Sequence, residues 1–263
     1  MENSSSQVGS TPGLSINGAV ATITLSRPDK LNRLTPDDLR VLLAHCAQLA
    51  TQADVRAVVI TSDTQGQKRP VFSAGYDVQG FDGGQHDPSL FERTVNAIEG
   101  LAPIVIGAIN GSVYGGATDL VMACDLRIGL DGTEFRMPAC ALGLHYYPGG
   151  LRRFVAVLGL QGAREMFLTA AALPVTKLQA WGAFVSVQEA DGFTAGVQEL
   201  VTRVAALAPL SARLTKQSLR ELGRGMFDEA ALYQREAQCA GSEDFAEGRR
   251  AFQERRAPLF RGR

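Results

Sequence analysis

Three short stretches concentrate the residue types that can do chemistry: FSAGYD (72–77), NGSVYGGATDL (110–120) and MPACALGLHYYPGG (137–150). The first two are glycine turns that each follow an apolar run, and the second leads into a helix-like stretch. A glycine pair at the start of a helix lets the main chain approach a ligand and leaves the first amide N–H groups unpaired. Those groups face outward at the positive end of the helix dipole, an arrangement suited to an oxyanion. Tight turns needing positive φ would explain either motif alone, whereas the two together point more specifically to a site. Neither has the GxGxxG or GxxxxGKS/T spacing, so dinucleotide or P-loop phosphate binding is poorly supported. The third stretch brings an imidazole (His145), two phenols (Tyr146 and Tyr147) and a thiol (Cys140), with no carboxylate. An imidazole exchanges protons near neutral pH, and a phenol can act as a weaker proton donor.

Each residue also has a plainer reading. Asp119, in the first turn of the helix opened by Gly115 and Gly116, is either an acid/base group or a favourable anion at a helix start. His145 either transfers protons or lines a pocket, and Tyr146 and Tyr147 are aromatic wall or acids. Cys140 has no neighbouring base to activate it and is read as structural. His45 falls on an amphipathic helix and His86 in a polar loop, and both are read as uninvolved.

These stretches need a scaffold. LSINGAVATITLSR reads as two strands about Asn17-Gly18, with Ala19, Ala21, Ile23 and Leu25 on one face. TPDDLRVLLAHCAQLATQ begins like a capping box and carries Leu39, Leu42, Leu43, Cys46 and Leu49 at helical spacing. VRAVVIT and PIVIGAI are short branched runs of the kind covered on both sheet faces, and their alternation with helical stretches implies an α/β fold with βαβ crossovers. After about residue 160 the strand signal fades and helical periods dominate. The expected division is a disordered tail at 1–13, an αβ core at 14–200 and a helical C-terminal region at 201–263.

With 263 residues, 45% of them apolar, the chain can bury one large core. A net charge of -1 gives no long-range attraction to nucleic acid or an anionic membrane. The four cysteines form no CxxC pair, so free and mostly buried thiols are expected rather than disulfides or a metal cluster. No apolar run approaches the roughly 20 residues of a membrane span. The N-terminus lacks a secretory pattern and its early Glu argues against a transit peptide, so a cytoplasmic location is expected.

FSAGYD, AINGSVYGGATDLVMACDLRIG, LGLHYYPGGLRRFVAVLG and EGRRAFQERRAPLFRG, in this order, resemble the crotonase (enoyl-CoA hydratase/isomerase) superfamily over residues 14–262. The resemblance implies a crotonase-like spiral of ββα units with a helical C-terminal trimerisation region, assembly as a homotrimer or homohexamer, and an acyl-CoA thioester as substrate. It implies no cofactor beyond the coenzyme A of the substrate, and no metal. The thioester oxygen would be held by the main-chain N–H groups of Tyr76 and Gly116. Family hydratases carry one Glu three residues after the second glycine and another after a downstream Pro, where this chain has Asp119 and Ala139. Other members place an Asp eight residues further on, where this chain has Tyr147. The water-sharing carboxylate pair is therefore missing, leaving Asp119, His145, Tyr146 and Tyr147 as the groups near the carbonyl.

The resemblance also assigns substrate and coenzyme A contacts to the loop with Lys30 and Leu31, to Ala74, Gly75, Asp77 and Val78, and to Gly115 and Ala139. Phe252 and Arg255 would cover the nucleotide of their own or a neighbouring subunit, unless they belong to a solvated basic face. The implied activity is that of a variant hydratase/isomerase that stabilises a thioester enolate. A hydrolase, decarboxylase or C–C lyase of the same fold, or a non-catalytic acyl-CoA-binding protein, are the alternatives.

Overall fold

The computed structural model describes residues 10–77, 87 and 89–263. Val78, His86 and residues 1–9 of the expected tail lie outside them. The tail reading is corrected at its end, because Gly13 already pairs with Thr24. Strands β1 (Gly13–Asn17) and β2 (Val20–Leu25) form the expected hairpin, with Gly18 at φ +57°. Helix α1 (Pro36–Ala50) begins with the expected capping box: Thr35 Oγ1 accepts the Asp38 N–H, and the Asp38 carboxylate accepts the Thr35 N–H at 2.8 Å. Leu39, Leu42, Cys46 and Leu49 form its buried stripe.

Three ββα units follow. They are β3 (Ala57–Ser62), β4 (Val71–Ser73) and α2 (Leu90–Glu99); β5 (Ile104–Ile109), β6 (Ser112–Tyr114) and α3 (Gly116–Met122); and β7 (Leu126–Leu130), β8 (Glu134–Arg136) and α4 (Pro148–Thr169). The first strand of each unit enters a sheet of order β1-β2-β3-β5-β7-β10, and the second enters a sheet of order β4-β6-β8-β9. Here β9 is Leu173–Pro174 and β10 is Ser186–Gln188, with helix α5 (Val175–Ala180) between them.

The branched runs are covered on both faces, as their composition requires. Val58 and Ile60 join the main core with Leu39 and Leu42, while Ala57 and Val59 pack with Ile106 against Leu200, Val201 and Val204 of helix α6 (Ala190–Ala205). This packing moves the expected boundary at residue 200, since α6 belongs to the sheet and cannot be cut there. Helices α7 (Pro209–Gly223), α8 (Glu229–Ala240) and α9 (Glu243–Glu254) then supply the helical C-terminal region. Sequence periodicity missed β9 and β10 because two or three residues hold too little alternation to register. Of the thiols, Cys46 and Cys124 are buried, Cys239 is half-buried and Cys140 is exposed, fewer buried than expected.

The smaller sheet positions the site. β4, β6 and β8 are adjacent and parallel, with Val71 opposite Ser112 and Tyr114 opposite Arg136. Their carboxyl ends therefore lie side by side, and AGYD, GGATD and MPAC leave from the same edge of the sheet. Open α/β sheets gather ligand-binding groups at the carboxyl ends of their strands.

Candidate active site

The turn after β4 is held by the loop that contains Lys30 and Leu31. Ala74 N–H donates to Leu31 O at 2.8 Å, Leu34 N–H to Gly75 O at 2.8 Å, and Asp77 N–H to Leu34 O at 3.0 Å. Asn32, 2% exposed at φ +51°, locks this loop: its Nδ2 donates to Asp63 O at 2.7 Å while its Oδ1 accepts the Arg27 N–H at 2.8 Å. Lys30 and Leu31 remain exposed beside the turn. The Asp77 carboxylate pairs with Arg33 at 3.3 Å.

Gly75 sits at φ +93°, and a methyl built on it would fall 2.5 Å from Tyr114 O, 3.2 Å from Gly116 N and 3.3 Å from Gly115 Cα. The two glycine turns are thus in van der Waals contact, backbone to backbone, although 40 positions separate Gly75 from Gly115 in sequence. Gly115 has φ +55° and precedes α3, whose first residue is Gly116. Gly75 demands glycine both for its φ and for the close approach, and Gly115 for its φ.

Aromatic rings line this junction. Phe91 of α2 covers Gly116, its Cζ lying 2.8 Å from where a β-carbon would stand. The same ring lies 5.6 Å from that of Tyr76 and 6.3 Å from that of Tyr147, and Tyr147 lies 4.7 Å from Tyr146. Tyr146 continues the wall to Phe154 and Phe167. Burial raises the Tyr76 phenol above its ordinary pKa, reinforced by the Asp77 charge.

Behind the wall is a closed charge cluster. Asp119 is fully buried, and its carboxylate accepts Arg153 Nε at 2.8 Å, Arg153 Nη2 at 3.1 Å, the Tyr146 hydroxyl at 3.2 Å and the Tyr147 hydroxyl. Arg153, 3% exposed, also donates to Asn96 Oδ1 at 2.8 Å and Glu99 Oε2 at 3.0 Å. Burial alone would depress the Arg153 guanidinium, but the Asp119 hydrogen bonds and charge more than offset it and hold the group above its usual range. Burial raises both phenols, Tyr146 and Tyr147, and the adjacent Asp119 charge adds to the effect. Neutral phenols and a bidentate Arg–carboxylate pair are the form in which such a cluster can be buried.

The structure gathers Ala74, Gly75, Tyr76, Asp77, Gly115, Gly116, Asp119, Tyr146 and Tyr147 around one junction. Ala139, 3% exposed, follows β8 at the same sheet edge. Other expectations change. Asp119, expected as a proton carrier, has its carboxylate filled by Arg153 and two phenols. Tyr147, expected as a proton donor, directs its proton to Asp119. His145, expected to transfer protons or to line a pocket, is exposed. Phe252, 86% exposed, borders a groove of about 430 Å³ with Phe245 and Phe260, and none of the glycine-turn residues lines that groove. Arg255 is exposed at the end of α9.

Sequence reasoning missed Phe91, Asn96, Glu99 and Arg153. The α2 residues are spaced as an ordinary helix face. Arg153 carries one available signal, an Arg within an apolar helix, since a buried Arg requires a carboxylate partner. Among the described residues no group of side chains is arranged to hold a metal ion, and no helix is long and apolar enough to cross a membrane.

Residues 15–263 match the enoyl-CoA hydratase/isomerase family. A short-chain-enoyl-CoA hydratase of Clostridium acetobutylicum is 28% identical over 249 residues, covering 91% of this chain and 93% of that protein. A methylmalonyl-CoA decarboxylase of Escherichia coli is 28% identical over 254 residues, covering 92% and 95% respectively. The crystal structure of an enoyl-CoA hydratase from Bacillus anthracis superposes with a TM-score of 0.85 at 26% identity, covering 97% of this chain and all of that one. Family, fold and the paired glycine turns agree, and this chain belongs to the enoyl-CoA hydratase/isomerase family of the crotonase superfamily.

Proposed function

We propose that this protein processes an acyl-CoA thioester by stabilising its enolate with the main-chain amides of Tyr76 and Gly116. The contact of the Gly75 turn with Tyr114, Gly115 and Gly116 carries this reading. It brings two distant backbone segments to the same point beneath an aromatic wall. Amides held in a fold need no reorganisation when charge develops on the thioester oxygen, and removal of one such donor costs about 3 to 4 kcal/mol of transition-state stabilisation. The loop with Lys30 and Leu31, together with Ala74 and Asp77, borders the junction as the path for pantetheine and nucleotide. Asp119 serves by fixing Arg153 and both tyrosines, because its lone pairs are already occupied.

Within the family, the reading is a variant hydratase/isomerase. A decarboxylase is a second reading, favoured by Ala139 and by the neutralised Asp119: loss of carbon dioxide generates an enolate without a base, and one relative bears that activity in its name. Exposed apolar side chains on and after α7, including Leu219, Met226, Phe227 and Tyr233, support homo-oligomer assembly. The test is Gly75→Ala, with acyl-CoA turnover followed by mass spectrometry over enoyl, 3-hydroxyacyl and malonyl-type thioesters. One of these should turn over in the wild type and slow by roughly 100-fold or more in the variant. Equal rates would refute the amide pair.

A further inference from the structure

With position 139 an Ala and Asp119 saturated by Arg153, the site still needs a group that can move a proton. Helix α2 supplies one. Phe91 lies on Gly116, and the next residue, Glu92, is half-buried. Glu92 Oε1 is 3.1 Å from where a methyl on Gly149 would stand, and Tyr147 Cε2 is 3.5 Å from the same point. The carboxylate therefore lies on the Tyr147 side of the aromatic wall, where Gly149 leaves it space.

Glu92, Asn96 and Glu99 follow one another at helical spacing on one face of α2. Asn96 and Glu99 are engaged by Arg153, and Asp77 by Arg33. Among the described residues no hydrogen bond or ion pair engages the Glu92 carboxylate. A half-buried carboxylate with free lone pairs beside a candidate enolate site is the group expected of a general base.

We infer that Glu92 is the proton-transfer residue of this enzyme, working from α2 in place of the carboxylates that the family carries after β6 and β8. The inference rests on the acyl-CoA reading above. Glu92 takes the proton from the carbon next to the thioester carbonyl. The C–H electron pair becomes the C–C π bond of the enolate, and the carbonyl π pair moves onto the oxygen facing the two amides. Return of the proton to the γ-carbon of an unsaturated chain shifts the double bond, and return to the original carbon gives exchange. Neither route needs an oxidant, a reductant or a second substrate. A single base fits a proton shift better than hydration, which is served by two carboxylates.

The experiment is exchange of the α-protons of butyryl-CoA in D₂O, read by mass spectrometry, alongside butyryl-CoA binding by calorimetry. The wild type should exchange, and Glu92→Gln should lower the rate by about 100-fold or more while binding and melting temperature stay unchanged. In Glu92→Ala, added formate should restore part of the exchange, which a structural anion at the first turn of α4 would not produce. Exchange by Glu92→Gln within roughly fivefold of wild type overturns the assignment, as does a wild type that binds butyryl-CoA without exchanging it. A wild type that does not bind butyryl-CoA overturns the acyl-CoA reading itself, and the assignment with it.

Discussion

The burial of Asp119 with Arg153 gives the two residues unequal consequences on substitution. Arg153→Met strands a buried carboxylate among phenols and should lower stability by about 3 to 5 kcal/mol, measured by denaturant unfolding. Asp119→Asn keeps the shape and leaves Arg153 its Glu99 partner, so it should cost less, and adding it to Arg153→Met should recover part of the loss. Strict additivity of the two would show that no mutual pair exists. The thiols offer a second test. Burial pushes Cys46 up to about 11 and Cys124 up to about 12, whereas Cys140 is exposed. Iodoacetamide near neutral pH should label Cys140 in the native protein and reach Cys46 and Cys124 only after unfolding. Asp119 shows why residue types outran residue roles: its position at a helix start was legible, but the Arg that fills its lone pairs stands 34 residues later in the chain.

Among the elements, the sheet edge that gathers the candidate site is a product of strand order. β4, β6 and β8 are three residues long each and parallel, and the loop at Lys30 to Leu34 clamps the turn after the first of them. Asn32→Ala should release that clamp, with a stability loss of about 1 to 3 kcal/mol from stranded buried polar groups and a raised KM as the Leu31 loop loosens. Thermal melts and steady-state kinetics check both. The hairpin, α1 and the branched strands β3 and β5 were legible because hydrophobic period and capping chemistry are local. The second sheet was not, since strands of two or three residues are defined by partners rather than by alternation. The join at residue 200 failed for a related reason: α6 reads as one more amphipathic helix, and only the sheet face it covers assigns it to the core.

For the whole molecule, the exposed apolar residues of the C-terminal helices are the surface on which the proposed homo-oligomer would assemble. Light scattering should find a mass that is a threefold or sixfold multiple of the 28.1 kDa chain, and a monomer at micromolar concentration would contradict assembly. Stability should also fall in alkali. Burial raises the Cys124 thiol from its ordinary value of 9.0 to about 12, so its contribution is complete below the first value and is lost as pH rises toward the second. The raised Tyr146 and Tyr147 act in the same direction, and denaturant midpoints taken across that window should decline. The most direct test of the central claim is the carbonyl stretch of carbon-13-labelled butyryl-CoA bound to the protein, read by isotope-edited infrared spectroscopy. If the amides of Tyr76 and Gly116 polarise the thioester, the band moves to lower frequency on binding, and Gly75→Ala returns it toward its position in water. An unshifted band in the bound wild-type complex would contradict the claim.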